Sequence, residues 1–583
     1  MSKENKSRLG AKWNQLNWRT LEKEVEFRQL NIIEAWKDGD QSKVYKLQEE
    51  LFYSFAGRAI AVRRVSTGHS ETAGTDGISM VNSWDKYQAI VDMKTTTDTL
   101  KTYKADPIRR IWIPKGENEK RPLGIPTVRD RCMQALVLLT LDPIVEINSD
   151  VHSYGFRRGR SSDHAIRRIR HILDKETRPR YVWDADIAKC FDSISHEFLM
   201  KEITRLLSVQ MHPLINGWLK AEIKEVGKKS IWPKAGTPQG GVISPILANI
   251  ALNGLEECVR GSRIGHYPIR LAGPKKGRKL DFVHLTGIWV VRYADDFIIT
   301  CSDRDRLEKE IIPKVTNFMM LRGLSISDRK SKIVDLKLTG FKFLGWDINV
   351  RPRDQRHNNP STSKNVLLMK PSAQGLKRIK DEVKAEFSNA GRPIEGIVRS
   401  LNPKLRGWTN YYRSSYHSRD AFSELGAHIY HTWMRWAKRR HPRRPTRWLV
   451  DNYISHSDKS KWVIGAPDGA TVFRPQEVQQ LRVSQLRVGT NFYEDKDYYT
   501  SEGKNLLVSE YRKKVYTYHG WKCAACGQSL GNGKETIELH HIIPEKDGGD
   551  WNLKNIVPLH RVCHVGITNA KKPVYSKLAT GGK

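Results

Sequence analysis

"RYADDFIITC", Arg292 to Cys301, sets two adjacent aspartates between apolar, β-branched runs, with "GIWVV" just ahead. Strand interiors usually exclude Asp, and neighbouring carboxylates repel one another, so Asp295 and Asp296 call for a positive charge. A hairpin over 288–301 exposes them at or near its tip. A second β-like run, in "YVWDADIAKCFDSISH" (181–196), ends on Asp186. Carboxylates brought by two strands to one place suit two Mg²⁺ ions about 3.5–4 Å apart, the arrangement a polymerase needs for in-line displacement at phosphate. Asp184 and Asp192 stand close by. Asp186 is favoured because "DIAKCF" turns from the strand into a bulky residue that can pack near a sugar.

Between these runs lies "AGTPQGGVISPILANIALNGLE" (235–256). Its glycines and Gln239 offer flexible backbone and an amide. An apolar helix follows from Ser244-Pro245, where Pro is well tolerated; such a helix would support a template-primer and an incoming base. Further on, "WMRWAKRRHPRRPTRW" (433–448) carries seven Lys/Arg and no acidic residue. Arg435, Lys438 and Arg439 share one helical face by i, i+3, i+4 spacing. That face suits phosphates, while Trp433 and Trp436 either pack inward or stack on bases. Three of the seven cysteines, Cys523, Cys526 and Cys563, crowd into the last segment. In a chain this long they suggest a metal in a reducing compartment rather than a disulfide framework.

The elements that must position these residues follow from periodicity and punctuation. Residues 1–65 read as helical. "GHSETAGTDGIS" (69–79) is a loop, and from about 100 to 350 short β-like runs alternate with helices. "GPKKGRKLD" (273–281) reads as a basic surface insertion and "RPRDQRHNNPSTSK" (351–364) as a boundary. Residues 371–450 are helical, 451–510 show little periodicity, and 511–583 form a Cys/His-rich unit. With 583 residues and 39% hydrophobic content, several domains with real cores are expected. The 100 Lys+Arg exceed the 64 Asp+Glu by 36 charges, which favours a polyanionic partner. No run of about 18 apolar residues is available to span a membrane. The opening "MSKENKSRLGAKWNQLNW" reads as neither a secretory signal nor a transit peptide.

Taken together, these motifs resemble the reverse transcriptases encoded by group II introns. "RRIWIPKGENEKRPLGIPTVRDRCMQALV" (109–137), "SYGFRRGRSSDHAI" (153–166), "DADIAKCFD", "GTPQGGVISPILANI", "RYADDF", "RGLSISDRKSKIV" (322–334) and "FKFLGWDI" (341–348) follow in the family's order. The resemblance implies Mg²⁺ at Asp186, Asp295 and Asp296, with Lys115 and Arg121 as free cations for the triphosphate of a dNTP. Cys190 and Phe191 both stand where the family carries a steric gate against ribonucleotides, and the sequence leaves both open. "SLNPKLRGWTNYYRSSYHSRDAF" (400–422) with 433–448 resembles the family's thumb, or maturase domain, which implies RNA as the polyanion. "CAAC" and "ELHHIIPEKDGGDWNLKNIVPLHRVCH" (538–564) look like an HNH nuclease of the ββα-metal type. There Cys523, Cys526, His560 and Cys563 suit structural Zn²⁺. His540 and His564 would hold a nuclease ion, and His541 would be the general base with its ring oriented by Asn555. The chain departs from the family at Thr568, where a further His is common.

The expected architecture is α+β and multidomain. It comprises an N-terminal helical extension (1–65), right-hand polymerase fingers and palm (66–360), a helical thumb (361–450), a DNA-binding region (451–510) and a small HNH domain (511–583). The implied protein is a maturase and reverse transcriptase that binds its intron RNA, nicks target DNA and primes cDNA synthesis there. Its setting would be the bacterial cytoplasm and nucleoid, or an organelle matrix or stroma. A splicing cofactor with degenerate enzymatic domains is the alternative; the intact aspartates and the His540-His541 pair argue against it.

Overall fold

Helices lead the chain, and each begins where the sequence supplies a cap. Ser2, Asn17, Asp40 and Ser54 accept from the backbone N–H groups of Asn5, Thr20, Lys43 and Gly57 at 3.3, 3.2, 2.9 and 2.9 Å. They open the helices Lys3–Gln15, Trp18–Lys37, Gln41–Tyr53 and Phe55–Ser66, and Ser83–Asp98 packs back on the first of them. This computed structural model describes residues 2–67, 72–115, 119–174, 178–261, 287–352, 365–457, 460–465, 469, 471–480, 485–496, 498–499, 510–527, 529–530, 537–543, 550, 552–560 and 563–564. The basic insertion at 273–281, most of the boundary at 351–364 and Thr568 lie outside the described residues.

The helical layer closes on Val128–Asn148, which is buried on nearly every side, as an apolar helix must be when it forms the middle of a core. Polar groups that enter this core are satisfied there: Gln29 Nε2 donates to Leu139 O at 2.7 Å and Gln48 Nε2 to Leu206 O at 2.9 Å. In the fingers, β1 (Ile108–Lys115) and β2 (Glu119–Ile125) form an antiparallel hairpin.

The palm sheet uses β3 (Tyr181–Asp186). The short β4 (Ile223–Lys224) instead returns to lie parallel to β1 in the fingers. β5 (Trp289–Tyr293), β6 (Asp296–Cys301) and β7 (Lys332–Asp335) complete a palm of order β5-β6-β3-β7, antiparallel throughout. After Asp296, every residue of β6 is buried. Its alternation splits two cores. Trp183, Ala185, Phe297, Ile299 and Cys301 join the N-terminal helices and Val128–Asn148. Val182, Val291, Ile298 and Val334 pack with the helix Ser162–Leu173 and the next sheet. An apolar strand sealed on both faces explains the uninterrupted "FIITC" run.

That next sheet, β8 (Phe341–Phe343), β9 (Trp346–Pro352) and β10 (Asn365–Pro371), joins palm to thumb. Trp346 is fully buried against Tyr412, with ring centroids 4.9 Å apart. The thumb packs the helices Ala373–Glu386, Ile394–Tyr412 and Ser418–Arg440 around Val383, Leu401, Leu405, Trp433 and Trp436. A hairpin of β11 (Ile454–Ser457) and β12 (Ser460–Ile464) follows the helix Thr446–Tyr453. The C-terminal unit has its own small core, where the helix Glu510–Tyr518 covers a hairpin of β13 (Ile537–His541) and β14 (Ile556–His560). Of the helix expected after β14, only Cys563 and His564 are described.

Gly155 tests how tightly the palm is built. A Cβ there would fall on the backbone nitrogen of Ala294, in the turn between β5 and β6. Gly407, in an open stretch of helix, has nothing within 4 Å of the same position. Gly155→Ala should therefore lower the melting temperature by the equivalent of about 1–3 kcal/mol. Gly407→Ala should raise it by up to about 1 kcal/mol through helix propensity.

Candidate functional site: a carboxylate cleft and a C-terminal metal centre

The turn that ends β5 and starts β6 has two residues. Tyr293 pairs with Asp296, which leaves Ala294 and Asp295 at the tip. Ala294 takes φ 59°, a left-handed conformation that a residue with a Cβ adopts only when its surroundings enforce it. Arg292, buried in β5 two residues earlier, donates from Nη1 to Ala294 O and to Asn249 Oδ1, both at 3.2 Å. Asn249 in turn donates to Gly155 O at 3.0 Å. Arg292 N donates to His152 O, and Tyr154 N to Arg292 O, each at 2.9 Å, so segment 152–155 runs along β5 as a brace. Burial lowers the Arg292 pKa to about 10, with Asp150 opposing the shift, so the guanidinium stays charged at neutral pH.

Across the sheet, Asp186 is the register partner of Asp296. Its backbone is clasped by the segment before β7: Ser327 N donates to Asp186 O at 2.8 Å and Asp186 N to Ser331 Oγ at 3.2 Å. Lys330 Nζ lies 3.2 Å from the Asp186 carboxylate. Burial, and then the charges of Asp295, Asp186 and Asp184, push the Asp296 carboxyl up to about 6, with Lys330 opposing. Of the neighbouring carboxylates, Asp184 is paired in register with Lys332, and Asp192 accepts the Gln239 amide at 3.3 Å. Asp186 alone of the three faces Asp296 across the strands.

A cleft of about 830 Å³ opens over Asp186 and Asp295, lined also by Arg110, Lys120, Arg121 and Lys330 among others. The "GTPQGG" loop forms another wall. Gly236, at φ 86°, lies so close to Asp192 that a Cβ would come within 2.6 Å of its carbonyl carbon, and Gly124 N donates to Gln239 O at 2.6 Å. Arg121 is not the free cation expected: its Nε donates to Gln239 Oε1 at 2.8 Å, linking fingers to palm. Its terminal nitrogens have no hydrogen-bond partner among the described residues. The backbone of Lys115 ends β1 opposite Glu119, and its side chain lies outside the described ones. Phe191 and Cys190 both line the cleft. Both are buried against the core; the Phe191 ring meets Phe156 edge-on at 6.1 Å, and the Cys190 thiol is pushed up to about 12 by burial.

On the thumb, Arg435, Lys438 and Arg439 are all exposed, while Trp433 and Trp436 are fully buried. The choice left by the sequence thus falls to inward packing, and the tryptophans are unavailable for base stacking. Arg439 also donates to Phe387 O at 2.8 Å, anchoring that face to the neighbouring helix.

In the C-terminal unit, Cys523, Cys526, His560 and Cys563 converge, their ligand atoms all within 4.8 Å of one another. Three thiols and an imidazole so gathered form a donor set that fits one metal ion. Beside it, His564 Nε2 stands 2.9 Å from His540 Nδ1, and His564 Nδ1 stands 2.6 Å from Glu538 Oε2. Burial, then His564 and His541, lowers the His540 pKa. His541 follows on β13 opposite Ile556. Asn555 does not hold the His541 ring as expected. Its amide accepts from Ile543 N at 2.8 Å and donates to Ile543 O at 3.1 Å and to Asp550 O at 2.8 Å. It pins the backbone that leaves the β13 strand.

Known families match this chain in consecutive blocks. The models for the N-terminal domain of reverse transcriptase, for reverse transcriptase (RNA-dependent DNA polymerase), for the group II intron maturase-specific domain and for HNH endonuclease match residues 13–93, 113–348, 376–454 and 523–570. Protein YkfC of Escherichia coli K12 is 31% identical over 299 residues, covering 48% of this chain and 77% of that one. The chain belongs to the group II intron-encoded protein family. Its fold is accordingly α+β and multidomain, with a reverse transcriptase domain and an HNH domain. The group II intron-encoded protein LtrA of Lactococcus lactis subsp. cremoris is 29% identical over 376 residues, 53% of this chain and 61% of LtrA. A 91 kDa protein in the cob intron of Schizosaccharomyces pombe is 30% identical over 366 residues, 54% of this chain and 44% of that one.

Four residues of the site escaped the sequence: Lys330, Asn249, Gly155 and Glu538. Arg292 left a signal, as a charge inside an apolar strand just before the paired aspartates.

The Asp296 shift has a pH consequence. Raised from 3.8 to about 6, the carboxyl binds its proton more tightly folded than unfolded. That contribution to stability is full below about 3.8 and is lost as pH rises through about 6. In metal-free buffer, Asp296→Asn should stabilise the protein at pH 7.5 by up to about 3 kcal/mol, with the gain vanishing near pH 4. Melting curves between pH 4 and 8 check this, and a pH-independent difference contradicts it.

Proposed function

We propose that this chain binds its own group II intron RNA, assists splicing and reverse splicing into DNA, nicks the target with its HNH domain and extends the new 3′ end into cDNA. The observation that carries the polymerase reading is the cross-strand register of Asp186 with Asp296, which brings Asp186 and the tip residue Asp295 to one cleft lined by fingers cations. Two Mg²⁺ ions held by these three carboxylates would activate the primer 3′ oxygen and neutralise charge on the phosphate. Arg121, with its terminal nitrogens turned to no other group, receives the dNTP triphosphate, joined by Lys115. Gln239 ties Arg121 to Asp192 and so holds fingers against palm around the base pair being formed. Phe191 is the gate beside the sugar on the bulk of its ring: it and Cys190 both line the cleft and both reach into the core, but only the phenyl ring is large enough to crowd a 2′-hydroxyl.

The exposed Arg435, Lys438 and Arg439 contact RNA phosphates, with the charge surplus of 36 favouring association. At the C-terminus Cys523, Cys526, His560 and Cys563 hold Zn²⁺, which folds the unit. His540 and His564 would hold a second divalent ion, Mg²⁺ in this reading, which would supply Lewis-acid stabilisation of charge at the scissile phosphate. His541 takes a proton from the attacking water, standing on a strand end that Asn555 fixes. Among the described residues no helix is long and apolar enough to cross a membrane. The bacterial cytoplasm and nucleoid, or an organelle matrix or stroma, supply the RNA, DNA and dNTPs this cycle requires.

Asp186→Ala or Asp295→Ala should abolish Mg²⁺-dependent DNA synthesis on an RNA template while intron RNA binding persists. Undiminished synthesis by either variant would overturn the assignment. His541→Ala should keep zinc and reverse transcription but lose nicking. Cys523→Ser should lose zinc, nicking and protease resistance of residues 511–583 together. Equal nicking by wild type and His541→Ala would leave only a zinc ribbon.

A further inference from the structure

The stretch after the thumb does not simply lead to the HNH unit. Residues 490–496 and 498–499 fold back over the polymerase. Asn491 Oδ1 accepts from the backbone of Tyr493 and Glu494 at 3.0 Å each, Asn491 N donates to Asp495 Oδ2 at 3.0 Å, and Tyr499 Oη donates to Thr490 O at 3.1 Å. The segment is thus shaped largely by its own side chains. Glu494 and Lys496 pair with Lys37 and Glu26, fixing it to the helix Trp18–Lys37. Tyr493 is buried and donates to Asp142 Oδ2, on the central helix, at 2.6 Å.

The inner face of this strap meets the loop 156–160. Arg158 Nη1 donates to Tyr493 Oη at 3.3 Å, and its guanidinium lies over the rings of Phe492 and Tyr493 at 5.2 and 5.5 Å. Arg160 Nη2 donates to Thr490 O at 3.4 Å. Gly159, at φ 68°, lies flush against the strap, where a Cβ would come within 2.5 Å of Tyr499 and 3.0 Å of Phe492. The other end of the same loop is Gly155, which touches Ala294 in the turn carrying Asp295. The loop is therefore held at one end by the strap and, at the other, supports the catalytic turn.

We infer that the strap of residues 490–496 and 498–499 positions the aspartate turn of the polymerase, with Tyr493 as the positioning residue acting through Arg158 and the loop 155–160. This rests on the polymerase reading of Asp186, Asp295 and Asp296. The strained turn needs a rigid floor. A carboxylate displaced by a fraction of an ångström weakens its share of the metal site without unfolding the palm. A segment within the region assigned to DNA binding would thus complete the reverse transcriptase.

Primer extension by the full chain on an RNA template, titrated with Mg²⁺, tests this. Tyr493→Ala should raise the Mg²⁺ concentration at half-maximal rate severalfold and lower kcat roughly tenfold, with template-primer affinity unchanged. Tyr493→Phe keeps the ring and should recover most of both. Loss of rate in proportion to folded protein, with the Mg²⁺ midpoint unmoved, would mean the strap only adds stability and would overturn the inference. Should Tyr493→Ala not fold, Tyr499→Ala decides, since it opens the contact with Gly159, and a wild-type midpoint in that variant likewise overturns the inference. A wild type that extends no primer overturns the polymerase reading and the inference together. A wild type that extends, beside variants with its midpoint, overturns the inference alone.

Discussion

Asp186, Asp295 and Asp296 have to share a site in which each raises the energy of the others. At about 4 Å, two like charges near a protein surface repel by roughly 4 kcal/mol, so such a cluster persists only where the backbone leaves no alternative. Here strand register removes the alternative. Asp186 faces Asp296 because β3 and β6 pair in a register that also sends Phe297, Ile299 and Cys301 into one core and Ile298 into the other. A slip of one residue would reverse every side chain of β6, so the carboxylate geometry is as firm as the packing beneath it. The cluster's field is answered locally by Lys330 beside Asp186, while Arg292, buried under the turn, holds its backbone through Ala294 O.

The modules around the pair use different physical means to fix charged groups. The fingers reach the palm through polar links, Arg121 to Gln239 to Asp192, made over glycines that let backbone approach backbone. The thumb buries its large aromatics, Trp433 and Trp436, so that the same helix turns Arg435, Lys438 and Arg439 outward. The C-terminal unit has a core of few residues, Val515, Tyr516, Leu530, Ile556, Val557 and Leu559 among them, and gathers three cysteines and a histidine beside it. A core that small gains much of its order from a bound metal.

The parts of this architecture set by short-range rules were legible in the sequence. "FIITC" and "GIWVV" announced buried strands, the paired aspartates a hairpin tip, and the C-x₂-C with H-x₂-C a convergent donor set. Long-range contacts were not legible. Nothing in "ISDRKSK" distinguishes Lys330 from its neighbours until β7 pairs with β3. Arg121 looked free because its partner lies 118 residues away. Asn555 was expected to hold a ring, but a carboxamide satisfies two backbone groups equally well, and the exit from β13 offered them. The strap that starts at Thr490 has no apolar period, since its shape comes from Asn491 and its hold from single ion pairs, hydrogen bonds and aromatic contacts.

The central claim is that register and turn together build one two-ion site from Asp186, Asp295 and Asp296. Electron paramagnetic resonance of Mn²⁺ bound to the full chain, with an RNA template and a 3′-deoxy-terminated DNA primer, measures this most directly. The account predicts a pair of spin-coupled ions about 3.5–4 Å apart, formed only with an incoming dNTP and absent in Asp295→Ala. A spectrum showing only isolated Mn²⁺, or a coupled pair that survives that substitution, would contradict it.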